Sequence, residues 1–330
     1  MRDRSRRPVR GESMAVTNSA QTSPSAGRAC DENAGTLNWI VAVSPDESAS
    51  ETPLPATATA AHAAFGEHGC VLLRGAFQPA TIDAMHGEFV AQFGTMSQAQ
   101  MRECARRPGP NRVCQVGEAR YDLVLRLTGA LGQREVFANG ILLKLLHLLL
   151  DAEMVLNSFT AVVSHSNAPA QRVHRDYPHL FSRGEYDRHM SVHAVNVVVP
   201  LIDVDLETGP TGVWLGSHLW ERTDAPSETM TVCSLRRGDC MLLDYRLLHA
   251  GLPNRTSRAR PIVYMVYARP WFFDQHNHLR TGRMPLDMPL ERYNELPSSV
   301  RPLMERAHFF ATISRWSEAE VPPPKAVQAG

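Results

Sequence analysis

From about Glu153 to Ala268 the chain breaks into short runs of β-branched and aromatic residues with turn residues between them, and this pattern leaves few folds open. Met154–His165 carries Val155, Leu156, Phe159, Val162 and Val163. His193–Val204 is nearly continuous in valine and other apolar residues. Gly238-Asp239 marks a turn before Cys240–Leu248, and Arg260–Ala268 is a further run. Such side chains suit a pleated, half-buried surface. Many short strands with turns between them make a sandwich or barrel. The expected fold is mainly β with flanking helices, around a jelly-roll core of the cupin-like, double-stranded β-helix kind.

Upstream the periodicity is helical. Ala60–Gly69 reads as a helix ending at a glycine, followed by a strand at Cys70–Arg74. In Pro79–Phe93, Ile82, Met85, Phe89 and Phe93 recur at helical steps. Arg106–Gln115 reads as a loop and Leu131–Leu150 as helical. Within the latter, Ile141–Leu150 is strongly apolar but too short to span a bilayer, so it reads as a buried helix. Residues 1–55 are rich in Ser, Thr, Ala, Pro and Gly, and are expected to be disordered apart from a short extended piece at Leu37–Val43. Residues 56–285 would then form the jelly-roll domain with its N-terminal helices, and 286–330 a helical or irregular extension.

Charge and cysteine usage exclude several roles. The formal net charge is zero, which gives no footprint for nucleic acid and no acidic tail for a basic partner. No apolar stretch follows the Arg-rich start, so neither a secretory signal nor a membrane anchor is expected. The six cysteines form no Cys-x-x-Cys pair and read as free thiols in a reducing cytoplasm. A monomer or homodimer acting on a small molecule fits these features.

The strand-rich part contains Gln171-Arg172-Val173-His174-Arg175-Asp176, and a single His249 ends a later apolar run. Two imidazoles and one carboxylate hold an oxygen-activating iron(II) on one face and leave the other face open. A bare His-x-Asp pair is close to noise in a chain with 14 histidines. Its setting decides. His86-Gly87-Glu88 has the same spacing but lies on a helix, where residues two apart diverge. On a strand, residues two apart share a side, so His174 and Asp176 can chelate together.

These residues resemble the phytanoyl-CoA dioxygenase family of iron(II)- and 2-oxoglutarate-dependent oxygenases. The first metal motif is matched by Gln171 to Asp176, in the form common among natural-product oxygenases. Gly209-Pro210-Thr211 and Gly216-Ser217-His218 follow in order, then Gly238-Asp239 and Leu248-His249-Ala250-Gly251 with Asn254 and Arg260. The resemblance implies iron at His174, Asp176 and His249, with Arg260 on the far carboxylate of 2-oxoglutarate and Thr211 and Gln171 at the cosubstrate. It implies oxygen-dependent oxidation of a C–H bond of a small organic molecule, such as a natural-product intermediate, with release of succinate and carbon dioxide. Halogenases of this type carry a small residue where this chain has Asp176, so hydroxylation or a related oxidation is expected instead. Gly251 stands where some members have a serine that helps bind the cosubstrate.

Arg258, two residues before Arg260, is the alternative anchor. Asn157 and His179 could face the site or serve as ordinary strand and loop residues. His218 and Asp239 read as turn residues. The pocket walls are expected from Arg106–Arg120, Tyr177–His189 and Phe272–Arg283. Two other functions use the same fold: binding a metal or ligand without turnover, and hydrolysis or isomerisation with a Lewis-acid metal.

Overall fold

The computed structural model describes residues 28–29, 38–107, 112–181, 185–221, 225–226, 229–278 and 283–320. Twelve strands form two facing sheets. They are β1 (Arg28–Ala29), β2 (Ile40–Ala42), β3 (Cys70–Arg74), β4 (Val113–Gly117), β5 (Arg120–Val124) and β6 (Val155–Ser164), then β7 (Ala194–Pro200), β8 (Thr211–Val213), β9 (Thr231–Val232), β10 (Cys240–Asp244), β11 (His249–Gly251) and β12 (Arg260–Ala268). The large sheet runs β2-β3-β10-β7-β12-β6-β5-β4 and the small one β1-β9-β8-β11. This is the jelly-roll core the sequence pattern predicts.

Period-two alternation gives the large sheet two unlike faces. On β6, Phe159, Ala161 and Val163 join the core beneath the helices, while Ser158, Thr160 and Val162 line a cavity between the sheets. On β5, Tyr121 and Leu123 go to the helices and Arg120 and Asp122 to the cavity. On β12, Val263, Met265 and Tyr267 go outward, and Tyr264 and Val266 inward. The outer face is covered by α2 (Pro55–His68), α3 (Pro79–Phe93) and α6 (Gly140–Leu150), through Phe65, Ile82, Met85, Leu142 and Leu146. The C-terminal segment closes the same core with Leu296, Val300, Met304 and Phe310. Among the described residues no helix is long and apolar enough to cross a membrane.

The structure departs from the sequence reading in several places. The short extended piece expected at Leu37–Val43 appears as Ile40–Ala42, paired with β3, but the disordered reading fails just after it, because Pro45–Ser50 forms the helix α1. Ser44 and Glu47 make a reciprocal capping box, a local signal that the segment's composition masks. The remainder of 1–55, apart from Arg28 and Ala29, lies outside the described residues. Arg106–Gln115 is not all loop, because Val113 begins a hairpin with β5. Leu131–Leu150 is interrupted, because Asn139 accepts hydrogen bonds from the Ile141 and Leu142 amides and starts α6 afresh. The free-thiol expectation fails at Cys233, which is disulfide-bonded. Cys70, Cys104, Cys114 and Cys240 are free. No local spacing signal in the sequence marks the Cys233 bond.

Candidate active site

His174 and His249 face each other in an isolated antiparallel bridge. The His174 amide donates to the His249 carbonyl at 3.0 Å, and the reverse bond is 2.9 Å. Asp176 follows on the same side. Ligand atoms of His174, Asp176 and His249 lie within 4.8 Å of one another. His249 Nε2 is 3.4 Å from Asp176 Oδ1. Each imidazole uses Nδ1 against a backbone carbonyl: His174 on Arg172 at 2.8 Å and His249 on Leu247 at 3.0 Å. With Nδ1–H donated there, Nε2 of each ring keeps its lone pair for a metal. Asn196 Nδ2 donates to Asp176 Oδ2 at 3.0 Å and fixes the carboxylate.

Electrostatics agree with a cation site. Burial, then the neighbouring His249, pushes the His174 imidazole down to about 4, so it stays neutral. Burial also acts against charge on Asp176 and His249, but each outweighs it for the other. Asp176 is held below the ordinary carboxylate range and His249 above the ordinary imidazole range. The group thus has a strong hold on positive charge between Nε2 and Oδ1.

Beside the triad sit two buried guanidiniums. Ser164 Oγ accepts from Arg120 Nε at 2.8 Å and from Arg260 Nη2 at 2.5 Å. Arg120 also donates to the carbonyls of Pro169 and Leu252, and Arg260 to that of Gly209 at 2.7 Å. Each is 2% exposed, and no described carboxylate offsets either charge. Burial, then Arg260, pushes Arg120 down to about 10. Two uncompensated buried cations are costly unless an anion joins them. Arg260 Nε and the buried Thr211 Oγ1 have no partner among the described residues, so hydrogen-bonding capacity remains at the same place. A dicarboxylate fits this donor set.

The structure brings together all six residues the sequence singled out, and adds one. Gln171 Oε1 accepts from the Gly251 amide at 3.0 Å, and Gln171 and Thr211 both line the cavity. A Cβ at Gly251 would lie 2.5 Å from Gln171 Oε1 and 3.3 Å from Arg120 Nη1, so these side chains occupy the space a serine would need. Arg260 backs the cavity, whereas Arg120 lines it. Sequence reasoning placed Arg120 only at the end of an expected wall segment, Arg106–Arg120, and gave it no role at the cosubstrate. The available signal was the alternation of Arg120 and Asp122 with Tyr121 and Leu123. Arg258 is exposed and takes no part.

The remaining candidates fall outside the site. Asn157 accepts from Arg306 Nη1 on the helix α8 (Glu305–Glu320). His179 pairs with Asp187 at 2.8 Å. His218 packs against Gly69. Asp239 holds Arg74 and the Gly75 amide. His86 and Glu88 lie on α3, where His86 stacks on Phe89.

The cavity has a volume of about 680 Å³. Two of the three expected wall segments contribute: Cys114–Arg120 in part, and His276 to His278 with Arg283. No described residue of Tyr177–His189 lines it; Arg183 and Arg280 lie outside the described residues. The roof is pinned to the triad. Tyr245 donates to Asp274 at 2.9 Å, and Asn277 Nδ2 donates to the Asp176 carbonyl and to Asp274, each at 2.8 Å. Arg283 Nη1 bonds Asp122 Oδ2 at 2.9 Å.

A jelly roll with an inward-facing pair of histidines and a carboxylate defines the class of the facial-triad metalloproteins. The phytanoyl-CoA dioxygenase family model matches residues 65–262, and the chain belongs to that family. The multifunctional dioxygenase prhA of Penicillium brasilianum is 29% identical over 231 residues, covering 62% of this chain and 71% of that protein. The iron/alpha-ketoglutarate-dependent dioxygenase ausU of Aspergillus calidoustus is 39% identical over 89 residues, 26% of this chain and 29% of that protein. The match thus spans less than a third of the second relative's length. Among solved structures, the non-heme alpha ketoglutarate dependent epimerase SnoN from nogalamycin biosynthesis aligns at 18% identity and a TM-score of 0.48, over 66% of this chain and 82% of that one.

Proposed function

We propose that this protein is an iron(II)- and 2-oxoglutarate-dependent dioxygenase that oxidises a C–H bond of a small organic molecule. One observation carries the reading beyond a metal site: Arg120 and Arg260 converge on a single neutral hydroxyl beside the triad, with no described carboxylate to balance them. That arrangement calls for a dianion next to the metal.

His174, Asp176 and His249 would hold iron(II) through the two Nε2 atoms and a carboxylate oxygen. Bound there with 2-oxoglutarate and oxygen, the metal supplies the oxidising power for C–H cleavage, with succinate and carbon dioxide as coproducts. The chain's own work is orientation. Arg120 and Arg260 attract the far carboxylate, and their planar forks suit its two oxygens. Thr211 Oγ1 and the Gln171 amide offer neutral hydrogen bonds to the rest of the cosubstrate. Asn196 keeps Asp176 from rotating. Asn277 and Asp274 hold the roof, which limits water at the reacting face.

The substrate occupies the remaining cavity, against Ser158, Thr160, Tyr264 and His276. Several hydroxyls on apolar strands, with the imidazole of His276 from the turn above them, favour a neutral, oxygenated molecule of moderate size. The Gln-x-x-His-Arg-Asp form of the motif supports a natural-product intermediate.

Succinate release from 2-oxoglutarate tests the function directly. It should require added iron(II) and oxygen, and should rise with candidate substrates whose products gain oxygen mass. Tight iron binding without any 2-oxoglutarate consumption would indicate a binding protein instead. Turnover persisting without oxygen would indicate Lewis-acid chemistry.

A further inference from the structure

We infer that Arg175, the residue between the two candidate ligands His174 and Asp176, is a positioning residue that sets the metal-site geometry by tying their segment to the one that carries His249. This rests on the metal reading above. Arg175 Nε donates to the Arg246 carbonyl at 2.6 Å. Its Nη2 donates to the Trp220 carbonyl at 2.7 Å and to that of Ser217 at 3.3 Å. All three acceptors are backbone carbonyls, and they belong to two segments that both bear on His249.

The first segment leads straight into His249. Arg246 is itself locked, its Nε and Nη2 bonding the two oxygens of Asp244 at 2.9 and 2.6 Å. The second is the Gly216-Ser217-His218 turn. Ser217 is fully buried, and its Oγ accepts from the amide of Leu248, the residue before His249, at 2.9 Å. One guanidinium therefore reaches the backbone on which His249 stands by two routes. The backbone bridge between His174 and His249 fixes their distance. On one side of the bridge the Gln171 amide bonds the Gly251 carbonyl at 2.8 Å, and on the other Arg175 ties the two segments together through Arg246.

The demand is geometric. A lysine can carry the charge, but its single ammonium cannot span carbonyls on two segments as a planar fork does.

The test compares wild type with Arg175→Lys, using Ni(II) as an oxygen-stable probe, with calorimetry for affinity and the metal-free melting temperature for fold. The expected result is a melting temperature close to wild type with Ni(II) affinity weaker by about tenfold or more, as for other residues that orient metal ligands. Equal Ni(II) affinity in the two proteins would overturn the inference while leaving the metal reading intact. A variant that melts far below wild type would also overturn it, because Arg175 would then serve the fold as a whole. Wild type that takes up no Ni(II) would overturn the metal reading itself, and the inference with it.

Discussion

On the inner face of the large sheet, β3 and β10 present Cys70, Leu72, Met241 and Leu243, whereas β5 and β6 present Arg120, Asp122, Ser158, Thr160 and Ser164. The first group packs against Trp39, Val204, Val213 and Leu235 and forms a filled apolar cluster. The second group encloses the cavity. The border runs along β12, where Ile262 belongs to the apolar cluster while Arg260 meets Ser164 and Tyr264 lines the cavity. Both halves share one sheet, one twist and one pattern of alternation. What separates them is whether the inward side chains satisfy each other. Apolar side chains do so by contact, and removing their surface from water stabilises the fold. Two arginines sharing one hydroxyl do not. The polar half tolerates that frustration because the apolar half and the helix-covered outer face hold the sheet in place.

The sharpest way to break this comparison is to remove a ligand from the polar half. His249→Ala should abolish 2-oxoglutarate turnover while leaving the melting temperature near wild type, since His249 lies outside the main apolar clusters. Retained turnover, measured as succinate release, would remove the triad from the chemistry. Leu72→Ala applies the opposite pressure. Leu72 is fully buried between the sheets, so truncation should cost about 3 kcal/mol of stability by chemical denaturation. The apparent KM for 2-oxoglutarate of the folded fraction should stay unchanged. A change in KM comparable to an active-site variant would mean that the two halves are not separable.

The division was only partly legible in the sequence. The strands at Cys70–Arg74 and Arg260–Ala268 were readable because hydrophobic runs and turn residues are local signals. The triad was readable because His-x-Asp is a local chelate and His249 closes a recognisable block. Arg120 was not, because its value depends on Ser164 and Arg260, which meet it only through cross-strand pairing. The Cys233 disulfide has no local spacing signal, and the helix Pro45–Ser50 was hidden by the composition around it, although its capping box at Ser44 and Glu47 is local. Arg175 shows the limit from the other side. It was visible in the motif from the outset, but the three carbonyls that give it a role come from residues 217, 220 and 246.

The arginine pair offers a graded test of the polar half. Arg260→Met and Arg120→Met should each raise the apparent KM for 2-oxoglutarate by about tenfold or more, as expected when a charge-assisted hydrogen bond worth roughly 1.5–3 kcal/mol is lost. The response to iron(II) should change far less, because neither side chain belongs to the triad. An unchanged KM in Arg120→Met alone would assign the anchor to Arg260 and leave Arg120 as its structural neighbour.

The smallest expected effect is the most direct probe of why the polar half stays polar. Thr160 lines the cavity. Thr160→Val keeps the shape and replaces the hydroxyl with a methyl group. If the polar lining served the fold, losing it would destabilise the protein as a broken hydrogen bond does, by about 1 kcal/mol. If it serves a ligand, stability should hold or rise slightly, because no hydrogen bond within the protein is then lost. A clear fall in denaturation midpoint would return Thr160 to the structural half of the comparison. Unchanged stability with weaker stimulation of succinate release by substrate would place it in the binding surface.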